Sequence, residues 1–399
     1  MPRPPFFTGR SPAWRGYSAA RAAGLCGMLL AVASAWCQQI PAAQQAYERG
    51  LGLEEQGRHQ DAADSFARAV DLNPEFGDAY YRLGVSRLHA GQTQQAIKAF
   101  IQLLQLEPAN QKAMLSAADA YVGLGLYDDA LALYSRALRL NPSSAVVHYD
   151  LGYAFFQKNE YPEAIAEIEK SLALEPENRT AQRLLASAYA ASGNSAQAEK
   201  TLRDSIARDA KSPELRMDLA NVLFAARRFG EAEEQLNSAL ALKPDYIPAR
   251  LGLARLYRRN GNVARALDEV AKVLSVDPGN AAAFLEKGQC EYAAGSLDAA
   301  ARDFQQFIHQ EPDSPEGEYL LGLLDLTAAR LPAAVEHLRR AVQIDPQLAD
   351  AHYYLAEALH KSKRDPEAKD ALAHCLQVDP THRKALALRA EIGLDSRQN

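Results

Sequence analysis

The 399-residue chain is poor in the side chains that most often carry chemistry. It has four cysteines, four methionines and two tryptophans, and no two cysteines form a CxxC pair. HExxH, GxxxxGK[ST] and GxSxG are missing as well. Those absences remove the common zinc-protease, phosphate-loop and serine-hydrolase arrangements. The nine histidines are scattered, and none has a Cys or His partner at metal-ligand spacing. No catalytic residue, metal or cofactor is expected. Positive charge is in deficit: 44 Lys and Arg face 50 Asp and Glu, for a net −6. Four of the arginines lie in residues 1–35, which hold no acid, so the rest of the chain carries −10. A body that acidic argues against a general nucleic-acid binder.

Long apolar runs are missing too. The stretch AAGLCGMLLAVASAW, residues 22–36, falls short of the ~20 residues that span a bilayer as a helix. It follows Arg3, Arg10, Arg15 and Arg21 and reaches Ala-Ser-Ala at 33–35. Basic residues, a short apolar core and a small-x-small ending are the features of a secretory signal peptide. We read residues 1–35 as that leader and 36–42 as a short linker. An uncleaved membrane anchor and a true start at Met28 are the alternatives. The expectation is an exported protein, periplasmic or secreted, with no transmembrane span in the mature chain. Cys26 would leave with the leader. Trp36 is too large for lipid attachment at Cys37. Cys290 and Cys375 read as small packing residues.

What the chain has in plenty is rhythm. Prolines stand at 74, 108, 142, 176, 244, 278, 312, 346 and 380, spaced by 34 residues, or by 68 where Ala210 takes the place of one. With that proline as position 32, ten repeats tile residues 43–382 without insertion or deletion. Position 20 is alanine in all ten, from Ala62 and Ala96 to Ala334 and Ala368. Position 8 is Gly or Ala, position 24 is large and apolar, and position 15 is often Gly.

Each choice has a physical reason. Between breaks the apolar residues follow a 3.6-residue period, so each repeat holds two amphipathic helices. Glycine near position 15 permits a tight turn between them. Small residues at 8 and 20 let the helices approach, and the bulky residue at 24 fills the space beside that contact. Proline at 32 stops the second helix, since it has no N–H to donate. One hairpin cannot bury enough to offset a backbone ordering cost of ~1–2 kcal/mol per residue. Stacked hairpins share a continuous core.

The spacing resembles the tetratricopeptide repeat family. The fourth repeat shows its signature as Leu151, Gly152, Phe155, Ala164, Ile168 and Pro176, and the third as Ala118, Tyr121, Ala130, Tyr134, Ala137 and Pro142. There are departures. No repeat has tryptophan at position 4. Position 7 is Arg49 in the first repeat and Lys287 in the eighth; the first suits an exposed end, and nothing in the sequence accounts for the second. Phe307 at position 27 predicts irregular packing in the eighth repeat, and Ala210 in place of proline predicts a looser joint. Residues 383–399 begin an eleventh repeat with Leu386 and Ala390, then stop. With Arg383, Lys384, Arg389 and Glu391 on a wet outer side, they read as a C-terminal capping helix and tail.

The resemblance implies an all-α, right-handed superhelical solenoid whose first helices line a concave side through positions 2, 5, 9, 12 and 13. Candidate partner-binding residues are then Tyr81, Tyr149, Arg183, Tyr319 and Tyr353 at position 5. Asp119, Tyr153, Asn221 and Arg255 stand at position 9, Phe156, Arg258 and Tyr292 at position 12, and Arg259 at position 13. Tyrosine offers contact area and one hydroxyl at little entropic cost; the other reading is packing between neighbouring first helices. The arginine trio either grips an acidic segment or is a solvated face. The family's clamp for a C-terminal carboxylate is missing, because no three consecutive repeats carry its Lys, Asn and Arg set. The expected role is a non-catalytic scaffold that holds a protein or peptide partner in the groove. A scaffold subunit of an envelope polysaccharide-export or outer-membrane assembly complex is the alternative, and an enzyme with an unrecognised site is a third reading.

Overall fold

The computed structural model describes residues 41–395, and among them every regular element is a helix. The leader reading for residues 1–35, and residues 36–40 of the 36–42 linker reading, lie outside the described residues, while residues 41 and 42 are helical. The chain divides into two compact units, one ending at Ser192 and the other starting at Gly193.

In the first unit, helix α1 (41–55) is followed by α2 (His59–Leu72), α3 (Gly77–His89), α4 (Thr93–Leu106) and α5 (Gln111–Gly123). Then come α6 (Tyr127–Leu140), α7 (Ala145–Gln157), α8 (Tyr161–Leu174) and α9 (Arg179–Ala191). The second unit holds α10 (Ser195–Arg208), α11 (Pro213–Ala225), α12 (Phe229–Leu242), α13 (Ile247–Arg259), α14 (Val263–Val276) and α15 (Ala281–Ala293). It ends with α16 (Leu297–Gln310), α17 (Pro315–Thr327), α18 (Leu331–Ile344), α19 (Ala349–Lys361), α20 (Asp365–Val378) and α21 (Arg383–Asp395). From α3 onward, first helices run from position 1 to 13 and second helices from 17 to 30. Within each unit successive helices pack on one another, and first helices also touch first helices, as α3 touches α5 and α13 touches α15. That is an α-solenoid of helix-turn-helix repeats.

The recurrent residues do what their chemistry suggests. All ten position-20 alanines are fully buried, and every position-24 side chain, from Phe66 to Leu372, is buried. The close approach at position 8 is literal. A Cβ on Gly84 would lie 2.4 Å from Phe100, on Gly152 2.5 Å from Ile168 and on Gly322 2.5 Å from Leu338. Position 15 is left-handed in all ten repeats. Six use glycine, and Asn159, Arg227, Ala329 and Lys363 adopt φ of 55–63° without it. First helices start on side-chain caps: Asn110, Ser144, Asn178, Ser212 and Asn280, all at position 34, accept from the backbone N–H three residues on.

The departures from the repeat resolve in packing. Phe307 does not disturb the eighth repeat, because the residue facing it in the next repeat is Gly317. A Cβ there would meet Phe307 at 2.9 Å and Ile308 at 2.5 Å. Lys287 has a partner sixteen residues on: its Nζ donates to Asp303 Oδ1 at 2.8 Å, and that carboxylate is buried. The joint at Ala210 is no looser in its backbone than the others. Asp209 has φ −128° and ψ 80°, matching Glu175 at −130° and 80°. Arg216, at position 4, donates to the Ala210 carbonyl at 3.1 Å, as Gln182 does to Pro176 at 2.7 Å and Arg250 to Pro244 at 2.5 Å. Polar residues at position 4 thus tie the joint in the central repeats. Helix α21 buries Ala385, Leu388 and Ile392 and leaves Leu386 and Ala390 exposed. Cys290 and Cys375 are free and buried, and burial pushes their thiols up to about 12 and about 11.

Candidate partner-binding faces

The first helices expose the candidate residues unevenly. In the first unit, Tyr81 lays its ring on Phe100, with centroids 5.9 Å apart. It also borders a cavity of about 710 Å³ together with Tyr47, Asp78, Arg82, Asn110 and Lys112. Helix α7 is different. Its residues at positions 2, 5 and 9 are Val146, Tyr149 and Tyr153. Val146 is 55% exposed and Tyr153 37%, while Tyr149 is half-buried. Phe156, one turn on, packs against Tyr161 at 5.8 Å. Arg183 on α9 stands near enough to Tyr149 to act on its hydroxyl, whose pKa is nevertheless raised, chiefly by burial and then by Asp150.

Two carboxylates share this neighbourhood, one on α5 and one on α7 itself. Asp119 on α5 accepts the Tyr134 hydroxyl at 2.5 Å. The packed surroundings of its carboxyl push its pKa up, and that hydrogen bond opposes the shift in part. Asp150, at position 6 of α7, has no hydrogen-bond or ion-pair partner among the described residues. Burial, and then the charge of Asp119, push it up to about 7. Tyr134 is held neutral by burial and by both acids.

In the second unit the arginine trio is largely engaged. Arg258 Nε donates to Glu286 Oε1 at 2.6 Å, and Glu286 is only 4% exposed. Arg255 Nε lies 3.8 Å from the other oxygen. Arg259 stacks over Phe224 and Phe229 at 5.7 and 5.4 Å. Asn221 is exposed. Tyr292, 39% exposed, places its hydroxyl 2.8 Å from Thr327 Oγ1. Tyr319 packs on Tyr354 at 6.0 Å, and Tyr353 packs on Tyr354 at 4.8 Å and on His382 at 5.2 Å. Lys384 of α21 lies over both Tyr353 and Tyr354. Burial, followed by Glu357, raises the Tyr353 hydroxyl to about 12. Tyr353 and Lys384 border a cavity of about 410 Å³ with Glu357, His360 and Glu391.

The structure therefore gathers Asp119, Tyr149, Tyr153 and Arg183 in one neighbourhood, and Tyr319 and Tyr353 in another. Three important residues were not among the sequence candidates: Asp150, Glu286 and Tyr354. All three occupy position 6. The signal was available, since position 6 adjoins 5 and 9 on a helix face. It also pairs with position 12 of the preceding repeat: Arg82 with Glu54 at 3.3 Å, and Glu286 with Arg258. Among the described residues no group of three or more His, Cys, Asp or Glu could hold a metal, and no helix is long and apolar enough to cross a membrane.

Comparison with known proteins agrees with this geometry. Sequence models described as tetratricopeptide repeat match residues 47–113, 86–145, 115–179, 149–213 and 183–247, as well as 223–283 and 282–314. A further model, described as TPR repeat, matches 330–363. No curated protein matches the chain. Among solved structures, yeast Tom70 is similar with a TM-score of 0.56 and 15% identity, over 90% of this chain and 96% of that one. A monomeric mutant of IFIT1, solved with m7Gppp-AAAA, gives 0.53 and 17%, over 81% and 83%. At such identity these likenesses concern the fold alone.

Proposed function

The chain belongs to the tetratricopeptide repeat family, whose members are protein–protein interaction scaffolds, and from that premise we propose that its first-helix faces hold an extended segment of a protein partner. One observation carries the reading. On α7, Val146 and Tyr153 stay open to solvent beside Tyr149. Open apolar and aromatic side chains grouped on one helix face are the usual mark of an interaction surface. The protein then acts by binding alone, with no chemistry of its own. The test is chemical cross-linking and capture of the natural partner by the full chain, repeated with Tyr149→Ala/Tyr153→Ala. Capture should fall at least tenfold with helical content intact; equal capture by the variant would remove the proposal.

The location belongs to the same proposal. Four arginines followed by a short apolar stretch and Ala-Ser-Ala support export, with cleavage after Ala35. N-terminal sequencing of the protein recovered from its own cells should begin at Trp36, and an intact Met1 end on the bulk of it would count against export by cleavage.

A further inference from the structure

Two joints of the array use the same three backbone positions in opposite ways. Between the seventh and eighth repeats, position 6 of the later repeat is Glu286, and positions 9 and 12 of the earlier one are Arg255 and Arg258. Both arginines reach the acid, at 3.8 and 2.6 Å. Between the third and fourth repeats, position 6 is Asp150. There position 9 is Asp119 and position 12 is Val122. The place that holds a guanidinium in one joint holds an aliphatic side chain in the other, and the second contact is a like charge. Asp150 is left half-buried without a partner. Next to it, Val146 and Tyr153 are exposed.

We propose that the α5–α7 face of the first unit takes an Arg or Lys side chain of a bound peptide between Asp119 and Asp150, with a neighbouring apolar residue of that peptide lying on Val146, Tyr149 and Tyr153. This deepens the partner-binding reading above and rests on it. Charge complementarity selects the occupant, since an acidic peptide or a nucleic acid would meet two carboxylates. The second unit supplies the template: a guanidinium at this spot can reach position 6 with hydrogen-bond geometry. Arginine should be preferred to lysine, because its planar fork can serve two carboxylates and lie against a tyrosine face.

The charged and titratable groups that face Asp150 are Asp119, Tyr134 and Tyr149, with Tyr153 and Arg183 acting on Tyr149. Asp150 titrates near neutrality in the empty face because burial and Asp119 both disfavour its charge. An arriving cation reverses that and expels the proton. Capture should therefore strengthen about tenfold between pH 6 and pH 8.

The experiment is a random-peptide phage selection on the immobilised full chain at pH 8. A recovered clone is then synthesised with a fluorophore and titrated by anisotropy. Clones rich in Arg or Lys beside an apolar residue are expected. Binding should drop at least tenfold with Asp119→Asn/Asp150→Asn, and again with Val122→Arg, which installs the arginine that the seventh repeat has. The asparagines keep shape and remove repulsion, and Asn at 119 can still accept the Tyr134 hydroxyl; circular dichroism checks the fold. Clones that need Tyr149 and Tyr153 but show no basic preference, or that bind the double Asn variant equally, overturn the proposal and leave the groove reading standing. Clones indifferent to Tyr149→Ala/Tyr153→Ala as well overturn both. A dimer of the full chain in sedimentation, broken by Tyr153→Ala, would put a second copy on this face and also overturn it.

Discussion

Arg258 and Val122 occupy the same position of two repeats, and the consequences differ in kind. Arg258 neutralises a nearly buried glutamate, so the joint between the seventh and eighth repeats is electrostatically complete. Val122 leaves Asp150 facing Asp119, so the joint between the third and fourth carries an unfavourable charge that the fold itself does not relieve. Both joints keep the same helix lengths and the same spacing. Backbone regularity is therefore indifferent to the charge at positions 6, 9 and 12. Those positions are free to be spent on holding the array together or on holding something else. One region closes on itself, and the other leaves a carboxylate without a partner.

The largest way to break this comparison is Arg258→Ala. If the ion pair closes the joint, removing the arginine strands Glu286. The cost should be about 2–3 kcal/mol, below the ~3–5 of a fully buried pair, since Arg255 remains and water reaches the guanidinium. Urea unfolding followed by circular dichroism reads the loss, and Arg258→Ala/Glu286→Gln should recover most of it. A loss below about 0.5 kcal/mol would mean the pair is an exposed ornament, typical of surface bridges.

The mirror-image prediction concerns Asp150. A carboxyl whose pKa is raised on folding contributes most below its unfolded value, near 3.9, and that contribution is lost as pH rises through about 7. Asp150→Asn removes the titration. The variant should match the natural chain near pH 4 and exceed it at pH 8 by about 1–2 kcal/mol, a figure discounted for the water that reaches a half-buried acid. Melting temperatures of the two proteins across pH 4–8 test this. Parallel curves would show that Asp150 is not under strain, and the contrast with Glu286 would collapse.

These two joints also show what the sequence could and could not reveal. The 34-residue period, the alanines at 20 and the Gly or Ala at 8 announce two helices per repeat, because each is a steric demand repeated ten times. The pairings that decide the faces are single events across repeats. Arg258 read alone is an open cation; its acid lies 28 residues on, in the first helix of the next repeat. Phe307 read alone is too large; its relief is Gly317 in the next repeat. The ninth repeat hides a charged interior for the same reason. Buried Glu318 and Asp325 flank His337 at 2.6 and 3.7 Å, and no single column suggests it. A column read down the repeats gives the fold, whereas the site needs pairs read between neighbouring columns and neighbouring repeats.

The smallest effect sharpens a second contrast between the units, in the backbone. The turn at position 15 is left-handed everywhere. The first unit uses Gly57, Gly91 and Gly125 there and departs once, at Asn159, a residue type that tolerates this region. The second unit departs three times, at Arg227, Ala329 and Lys363. A side chain with a Cβ is held in this conformation at ~1–2 kcal/mol, against which glycine loses more entropy on folding. Ala329→Gly should therefore stabilise the protein by about 0.5–1 kcal/mol, and Gly91→Ala should destabilise it by a similar amount. Opposite signs in thermal melts of the two variants would place the residual backbone strain in the second unit. Equal signs would show that the turn, and not its residue, sets the stability of this position.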